Sequence, residues 1–330
     1  MKRYELIGYI QQCWTKFLTV LSLCLIAACT PESEKSPIRL ASNYWIGYEP
    51  FFVAESMQLF EKGSVHLIEA PFSFILEQSL RGGTIDAASV SLSKAFSLFE
   101  GGFDITIVLV LDWSDGADKL LAHPEIKTVA DLRGRRVASE PHTVNRYLLV
   151  RALQENGLSP DDITIVPHIN EKTVAAYKNG DVVAGTVFGA EVPRFKKAGA
   201  HTIFDSSMIP GEILDVLIVR TSYLRKNPER VAHMISGWLK GVEAVKNFSA
   251  GDPRPFGLVS EADYSATVNE IRFASGAENL AFMEVGAAQL KAVLKTRLSI
   301  RKTTGKLPLP GQVPPIDTGP FFTVYKSGEK

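Results

Sequence analysis

The sequence predicts an α/β protein made of two α/β lobes joined by a two-strand hinge. Three observations carry that expectation. Short β-like runs alternate with helix-like runs along most of the chain, the pattern of a parallel or mixed sheet flanked by helices. One run, Ile105–Leu111, is continuously apolar and β-branched, as a strand buried on both faces requires. A second alternating set begins near His123, and after it an apolar run, Asp215–Arg220, reads as a strand returning to the first lobe. A lobe interrupted by another, with crossovers near 123 and 208, is a clamp that closes on a ligand between its halves.

The elements follow in order. Ile38–Ser42 reads as the first strand. Pro50 suits the first turn of a helix, so Pro50–Phe60 reads as a helix ending before Gly63. Val65–Ala70 is a strand, Ser73–Arg81 a helix, Asp86–Val90 a strand and Ser91–Glu100 a helix. In the second unit Thr128–Leu132 is a short helix, Arg136–Ser139 a strand, and His142–Asn156 a helix stopped by Gly157. Turn chemistry at Ser159–Asp162 precedes a strand at Ile163–Pro167. Glu171–Asn179 is a helix, Ala184–Phe188 a strand, Val192–Lys197 a helix and Thr202–Asp205 a strand. Pro228–Phe248 is a long helix. Mostly helical sequence follows to about Ser299, and a Pro- and Gly-rich tail from Thr303 is expected to wrap the surface.

The N-terminus carries a separate signal. Lys2, Arg3 and Lys16 make a basic region ahead of an apolar run from Phe17 to Ala28. That run is too short to cross a bilayer core as a helix, and it fits the apolar region of a secretory signal peptide. It ends Leu25-Ile26-Ala27-Ala28-Cys29, which resembles the lipobox of bacterial lipoproteins. The resemblance implies that Cys29 is lipidated and becomes the new N-terminus. The alternatives are cleavage elsewhere or an uncleaved anchor. In Gram-negative lipoproteins an aspartate after the cysteine signals inner-membrane retention, so Thr30 suggests the outer membrane. The expected organisation is signal peptide 1–28, tether 29–37, the first part of lobe 1 over 38–122, lobe 2 over 123–207, and the return to lobe 1 with C-terminal helices and tail over 208–330.

Composition narrows the function. The 36 basic and 36 acidic residues balance, and the signal region takes three positive charges and one negative with it, leaving about −2. A nucleic-acid binder would show a basic stripe instead. Of the three cysteines, Cys13 and Cys24 leave with the signal peptide and Cys29 is acylated, so no disulfide, thiol nucleophile or thiolate metal site is expected. The six histidines lie far apart, with no HExxH. There is no GxSxG elbow and no P-loop. No enzyme, no metal and no cofactor are expected.

Four segments carry a family resemblance. Asn43-Tyr44-Trp45-Ile46-Gly47-Tyr48-Glu49-Pro50 resembles the first cleft loop of the nitrate/sulfonate/taurine-type periplasmic solute-binding proteins of ABC transporters, relatives of the thiamine-precursor-binding proteins. Asp112-Trp113-Ser114-Asp115-Gly116-Ala117-Asp118 resembles the family's crossover, and Val129–Ala138 its DLKGKKVA stretch. Asp205-Ser206-Ser207 with Pro210–Leu217 resembles its return to lobe 1. The likeness runs over roughly residues 38–250. It implies the type II periplasmic-binding-protein fold and capture of a small solute. One segment departs from the pattern: Phe188 stands where the family commonly has Trp, and Gly189 where it has Glu.

Candidate ligand-binding residues come from loops at strand ends, which line the crevice of an open α/β sheet. Trp45 and Tyr48 lie on the first such loop. Glu49 is a candidate beside them, or an acid serving the helix dipole. Ser89 and Ser91 in lobe 1, and Ser139 and Thr143 in lobe 2, flank helix starts, where hydroxyls and free N–H groups bind anions or simply cap. Asp112 and Trp113 follow the buried strand. Asp215 matches the return motif, and is either a ligand group or the partner of an arginine. Thr186 and Phe188 stand at the departing segment. Glu49, Asp112, Glu140 and Asp215 outweigh Lys94, His142 and Arg146, so the expected ligand has an aromatic, amine or zwitterionic part stacked on Trp45, Tyr48 or Trp113. The expected partners are an ABC permease and ATPase, or alternatively a membrane sensor, with the membrane held through Cys29 and the chain monomeric.

Overall fold

The computed structural model describes residues 36–43, 45–70, 73–247, 267–282 and 313–326, and single positions at 288, 290, 293 and 295. The expected signal peptide, Cys29, Thr30 and most of the tether lie outside the described residues, as do Tyr44 and much of the stretch expected to be helical up to Ser299. Among the described residues, no helix is long and apolar enough to cross a membrane.

Two sheets organise the chain. The first is made of β1 (Ile38–Ser42), β2 (Val65–Glu69), β3 (Ala87–Ser91), β4 (Ile105–Ser114), β10 (Leu214–Arg220) and β11 (Ile271–Phe273), in the order β11-β4-β10-β3-β1-β2. The second takes β5 (Lys119–Ala122), β6 (Arg136–Ser139), β7 (Thr164–Pro167), β8 (Ala184–Val187) and β9 (His201–Asp205), in the order β7-β6-β8-β5-β9. Each sheet has a parallel trio, β2-β1-β3 and β7-β6-β8. An antiparallel strand follows in each: β10 pairs antiparallel with β3, and β5 with β8. Those two strands are the first after each crossover between the sheets, so the chain exchanges one strand in each direction.

The sequence dictates the pieces locally. Every residue of β4 is buried, as a strand held between β10 and β11 and covered on both faces must be. Pro50 sits in the first turn of α1 (Glu49–Ser56), where its missing N–H costs nothing. Further along come α2 (Ser73–Arg81) and α3 (Leu92–Glu100) in the first lobe, and α4 (Val144–Glu155), α5 (Asn170–Lys178) and α6 (Glu191–Lys197) in the second. After the return lie α7 (Thr221–Lys226) and α8 (Pro228–Lys246). Phe51 of α1 packs at a tilt against Trp238 of α8 with ring centroids 4.5 Å apart. A Cβ at Gly241 would overlap the Pro50 backbone, so α8 approaches α1 closely because a glycine is there.

Several expectations change. The first helix is shorter than Pro50–Phe60: it ends at Ser56, and Gln58 follows with φ +56°. The buried strand does not stop at Leu111 but runs to Ser114, because β10 and β11 pair with it through Asp112 and Trp113. Lys119–Ala122 lies ahead of the expected lobe boundary at 123, yet it is hydrogen-bonded within the second sheet between β8 and β9. The stretch after α8 contains β11, a strand where helix was expected. The end of the tail is embedded rather than wrapped on the surface. Ile316 forms a parallel bridge with Ile107, and α9 (Gly319–Lys326) buries Phe321 and Val324 in the core that holds Trp238.

Candidate functional site

The two crossovers, β4 to β5 through residues 115–118 and β9 to β10 through residues 206–213, lie side by side. The Ser114 and Ser206 hydroxyls hydrogen-bond at 2.8 Å, and the Gly116 N–H donates to Ser206 Oγ at 2.7 Å. The Ser206 N–H donates to the Asp118 carbonyl, and the Ser114 N–H to the Ile213 carbonyl. Gly116 has φ +108°, a backbone that side chains resist, so the tight approach depends on glycine. Lys119 Nζ reaches the Glu270 carboxylate at 2.9 Å, tying the first residue of β5 to the segment that leads into β11.

Beside the crossovers, the C-terminal end of the first sheet gathers carboxyl groups. Asp112 of β4 and Asp215 of β10 are opposite each other in the antiparallel register, and on the other side of β10 Asp215 faces Ser91. Asp112 is 1% exposed, and among the described residues neither of its carboxyl oxygens finds a hydrogen-bond donor at good geometry. The Trp45 indole N–H lies next to it and holds its pKa down against burial, though the pair falls short of a well-aligned hydrogen bond. A Cβ at Gly47 would overlap both Trp45 Nε1 and an Asp112 oxygen, so the glycine leaves the space in which these two groups meet. The Tyr48 hydroxyl sits beside the Asp215 carboxyl.

Burial sets the electrostatics. It raises Asp112 well above the usual carboxylate range, and the charge of Asp215 adds to the effect. Burial, then the charge of Asp118, pushes Asp215 up to about 8. Burial raises Asp118 to about 6, against a hydrogen bond from Ser114 and the nearby Lys119 charge. Tyr48 is raised well above its ordinary value by burial and by Asp215 and Asp112. Among the described residues, no group of three or more His, Cys, Asp or Glu is arranged to hold a metal ion.

The second lobe presents a different chemistry. Thr186 Oγ1 donates to Ser139 Oγ at 3.1 Å, at the C-terminal ends of β8 and β6. Arg146, in the first turn of α4, donates from Nη2 to the Ser139 carbonyl at 3.3 Å, and its Nε is buried without a partner among the described residues. Burial lowers its pKa. Asn170 brackets Phe188 by accepting from its N–H and donating to its carbonyl. The Phe188 ring meets Trp45 edge-on at 5.6 Å, which joins the two lobes at the candidate site.

The residues singled out by sequence thus divide. Trp45, Tyr48, Asp112, Asp215 and Phe188 converge, with Ser91 across the register from Asp215. Ser139 and Thr186 pair in the other lobe. Ser91 Oγ caps α3 by accepting from the Lys94 N–H. Thr143 precedes α4 but bonds the Glu140 carbonyl rather than a helical N–H. Ser89 is engaged with Ser42 at 2.6 Å. Glu49 is buried in the first turn of α1, the position the dipole reading gives it. Asp112 and Trp113 are strand residues rather than loop residues, and the Arg272 guanidinium lies 4.0 Å over the Trp113 ring, covering one of its faces. Asp118 joins the site without having been expected there. Its signal is present in the Asp112–Asp118 crossover segment, but only the folded chain shows that it is buried against Asp215.

Comparison with known proteins places this geometry. Residues 103–248 match the model of the NMT1/THI5 like family. The chain is 29% identical over 177 residues to a putative aliphatic sulfonates-binding protein of Escherichia coli, covering 52% of this chain and 56% of that protein. It is 24% identical over 204 residues to the taurine-binding periplasmic protein of the same organism, covering 60% and 63%. The match therefore spans little more than half the length of these curated relatives. The alkanesulfonate-binding protein of Xanthomonas axonopodis pv. citri, solved bound to MOPS, superposes with TM-score 0.62 at 19% identity over 84% of this chain and 97% of that one. The two-lobed architecture is that of the periplasmic binding proteins, residues 103–248 are similar to the NMT1/THI5 like family, and the curated relatives named above are binding proteins for sulfonates and taurine.

Proposed function

We propose that this protein captures a small organic solute carrying an amine, alone or within an aromatic or zwitterionic molecule, between its two lobes and delivers it to an ABC permease. The observation that carries the reading is the Asp112 carboxyl, 1% exposed and without a well-aligned hydrogen bond among the described residues, beside the Trp45 indole N–H and the raised carboxyls of Asp215 and Asp118. Leaving such a group unsatisfied is costly, and a ligand ammonium would relieve it. Trp45 and Tyr48 would pack on the apolar part of the solute, with Phe188 closing from the second lobe. Ser89, Ser91, Ser139, Thr143 and Thr186 complete the proposed polar lining. Trp113 contributes only its free face. Taurine, the ligand of one relative, and MOPS, bound in the structure of another, both combine a nitrogen cation with a sulfonate.

The proposed setting is the cell envelope, with the chain held to a membrane through lipid on Cys29. Metabolic labelling with a fatty acid, abolished by Cys29→Ala, tests the anchor. Thr30 favours a second reading. An outer-membrane anchor on a tether of under ten residues, 29–37, would not reach an inner-membrane permease. In that case the same clamp would report its ligand to a membrane sensor. Lobe closure around the proposed hinge serves both.

The binding reading is tested by thermal shift on residues 30–330 against amines, zwitterions, sulfonates and nitrate. A ligand at 100 times its Kd adds about 2.7 kcal/mol to stability. Shifts with amines or zwitterions that vanish in Trp45→Ala support it. Shifts with nitrate or bare sulfonates alone would overturn the amine assignment.

A further inference from the structure

The end of the first sheet opposite the crossovers gathers cations. β4 begins there at Ile105, which pairs with Arg220 at the close of β10, and β1 and β2 begin there at Ile38 and Val65. Asp86 meets both the Arg39 and the Arg220 guanidinium, so one carboxylate serves two cations, and both arginine side chains stay partly exposed. Arg230 of α8 donates to the Gly63 carbonyl just ahead of β2. The charges of Asp86, Arg230, Arg39 and Arg220 all reach Tyr223 of α7, so three guanidiniums surround a single carboxylate.

Exposed cations flank this cluster. Lys62 precedes Gly63, and Arg225 and Lys226 close α7, which starts directly after Arg220. Among the described residues these three form no ion pair. Arg81, at the end of α2, lies over the Phe103 ring at 4.7 Å. The other acids at this end, Glu61, Glu100, Asp104 and Glu229, are fewer than the cations, and Glu61 is engaged by His233 of α8. The chain also enters the lobe here. Arg39 follows Cys29 by ten residues, so even a fully extended tether keeps it within about 35 Å of the proposed lipid.

We propose that this face is an interaction surface for anionic phospholipid headgroups, and that it lays the base of the first lobe on the membrane that the Cys29 lipid enters. The proposal rests on the lipid-anchor reading above and adds what the anchored lobe does at the surface. Headgroup phosphates match the planar fork of a guanidinium, and an anionic leaflet attracts each basic side chain held close to it. Asp112 and Asp215 stand at the other end of the sheet, so a lobe lying on this face turns its candidate crevice toward solvent.

Flotation of residues 30–330 with vesicles tests the surface without the lipid. Binding is expected at low ionic strength to vesicles of phosphatidylglycerol and phosphatidylcholine in equal parts, to be absent from phosphatidylcholine alone, and to fall as salt is raised. The combined variant Lys62→Gln, Arg225→Gln, Lys226→Gln should weaken it by about fivefold for each charge removed. A charge-matched variant in the second lobe, Lys178→Gln, Lys196→Gln, Lys197→Gln, should bind as wild type does. Equal loss in the two variants would make the effect one of net charge and overturn the proposal, as would equal binding to both kinds of vesicle. No binding to anionic vesicles while Cys29 takes up fatty acid overturns the surface and leaves the anchor standing. Binding to them with no labelling of Cys29 supports the surface and overturns the anchor. Melting temperatures matching wild type are expected of both variants, which separates loss of the surface from loss of the fold.

Discussion

Two buried aspartates at opposite ends of one sheet show how differently the same side chain is used. Asp86, just before β3, is 3% exposed at its side chain and accepts from the Arg39 side chain at two 2.8 Å bonds, the Arg39 N–H at 3.1 Å and Arg220 at 2.5 Å. Burial alone would raise it, but these bonds win and hold it below the usual carboxylate range. Asp112, near the far end of β4, is as deeply buried and has no such donors among the described residues, and it is raised. A buried carboxylate that is paired holds elements together. One left without a well-aligned hydrogen bond beside the crossovers between the sheets stores a demand that a ligand can meet.

Perturbing each end should break the comparison or sharpen it. The largest effect is expected for Asp86→Ala, which strands two guanidiniums. A loss of about 3 kcal/mol in urea unfolding is expected, at the low end for a broken buried pair because Arg39 and Arg220 reach solvent. Gly47→Ala comes next. Its new methyl overlaps Trp45 Nε1 and Asp112, so a loss of about 2 kcal/mol and abolished solute binding are expected. Ser206→Ala removes the acceptor of the Gly116 N–H and the partner of Ser114, and should cost about 1 kcal/mol while loosening lobe closure, read by small-angle scattering with and without ligand.

The smallest change at neutral pH is the most diagnostic in its sign. Carboxyls raised in the folded state bind protons more tightly there, so the stability they contribute is full below about pH 4 and is lost as pH rises through their folded values. Asp118 and Asp215, at about 6 and about 8, should make the unliganded protein decline in stability between about pH 4 and about pH 8. Asp86 acts oppositely, contributing stability that is lost only as pH falls. Asp215→Asn should flatten the decline toward the alkaline end and leave the acid limb in place, as read by melting temperature across the range.

Much of this is legible in the residues. Ile38–Ser42, Arg136–Ser139 and Ser73–Arg81 form with the expected ends because alternation, apolar runs and flanking turn residues agree locally. The sequence reads β4 too short because Asp112 is polar, and only pairing with β10 and β11 extends it. It assigns β5 to the other lobe because a four-residue apolar strand carries no mark of the sheet it joins. Trp45, Tyr48, Asp112 and Asp215 stand out from a loop and two strand ends. The pairing of Asp112 with Asp215, the burial of Asp118 and the bare Nε of Arg146 arise from contacts across tens of residues, which no local pattern encodes.

The central claim is that Asp112 is kept bare for a ligand cation rather than for the fold. The direct test is the melting temperature of wild type and Asp112→Asn at neutral to mildly alkaline pH, each alone and with saturating taurine or β-alanine. The account predicts that the unliganded variant melts no lower than wild type, since an amide replaces a buried group that has no well-aligned hydrogen bond among the described residues, and that the ligand-induced rise seen in wild type is absent from the variant. A variant that melts several degrees lower on its own, yet keeps the full ligand-induced rise, would make Asp112 a second Asp86 and contradict the account.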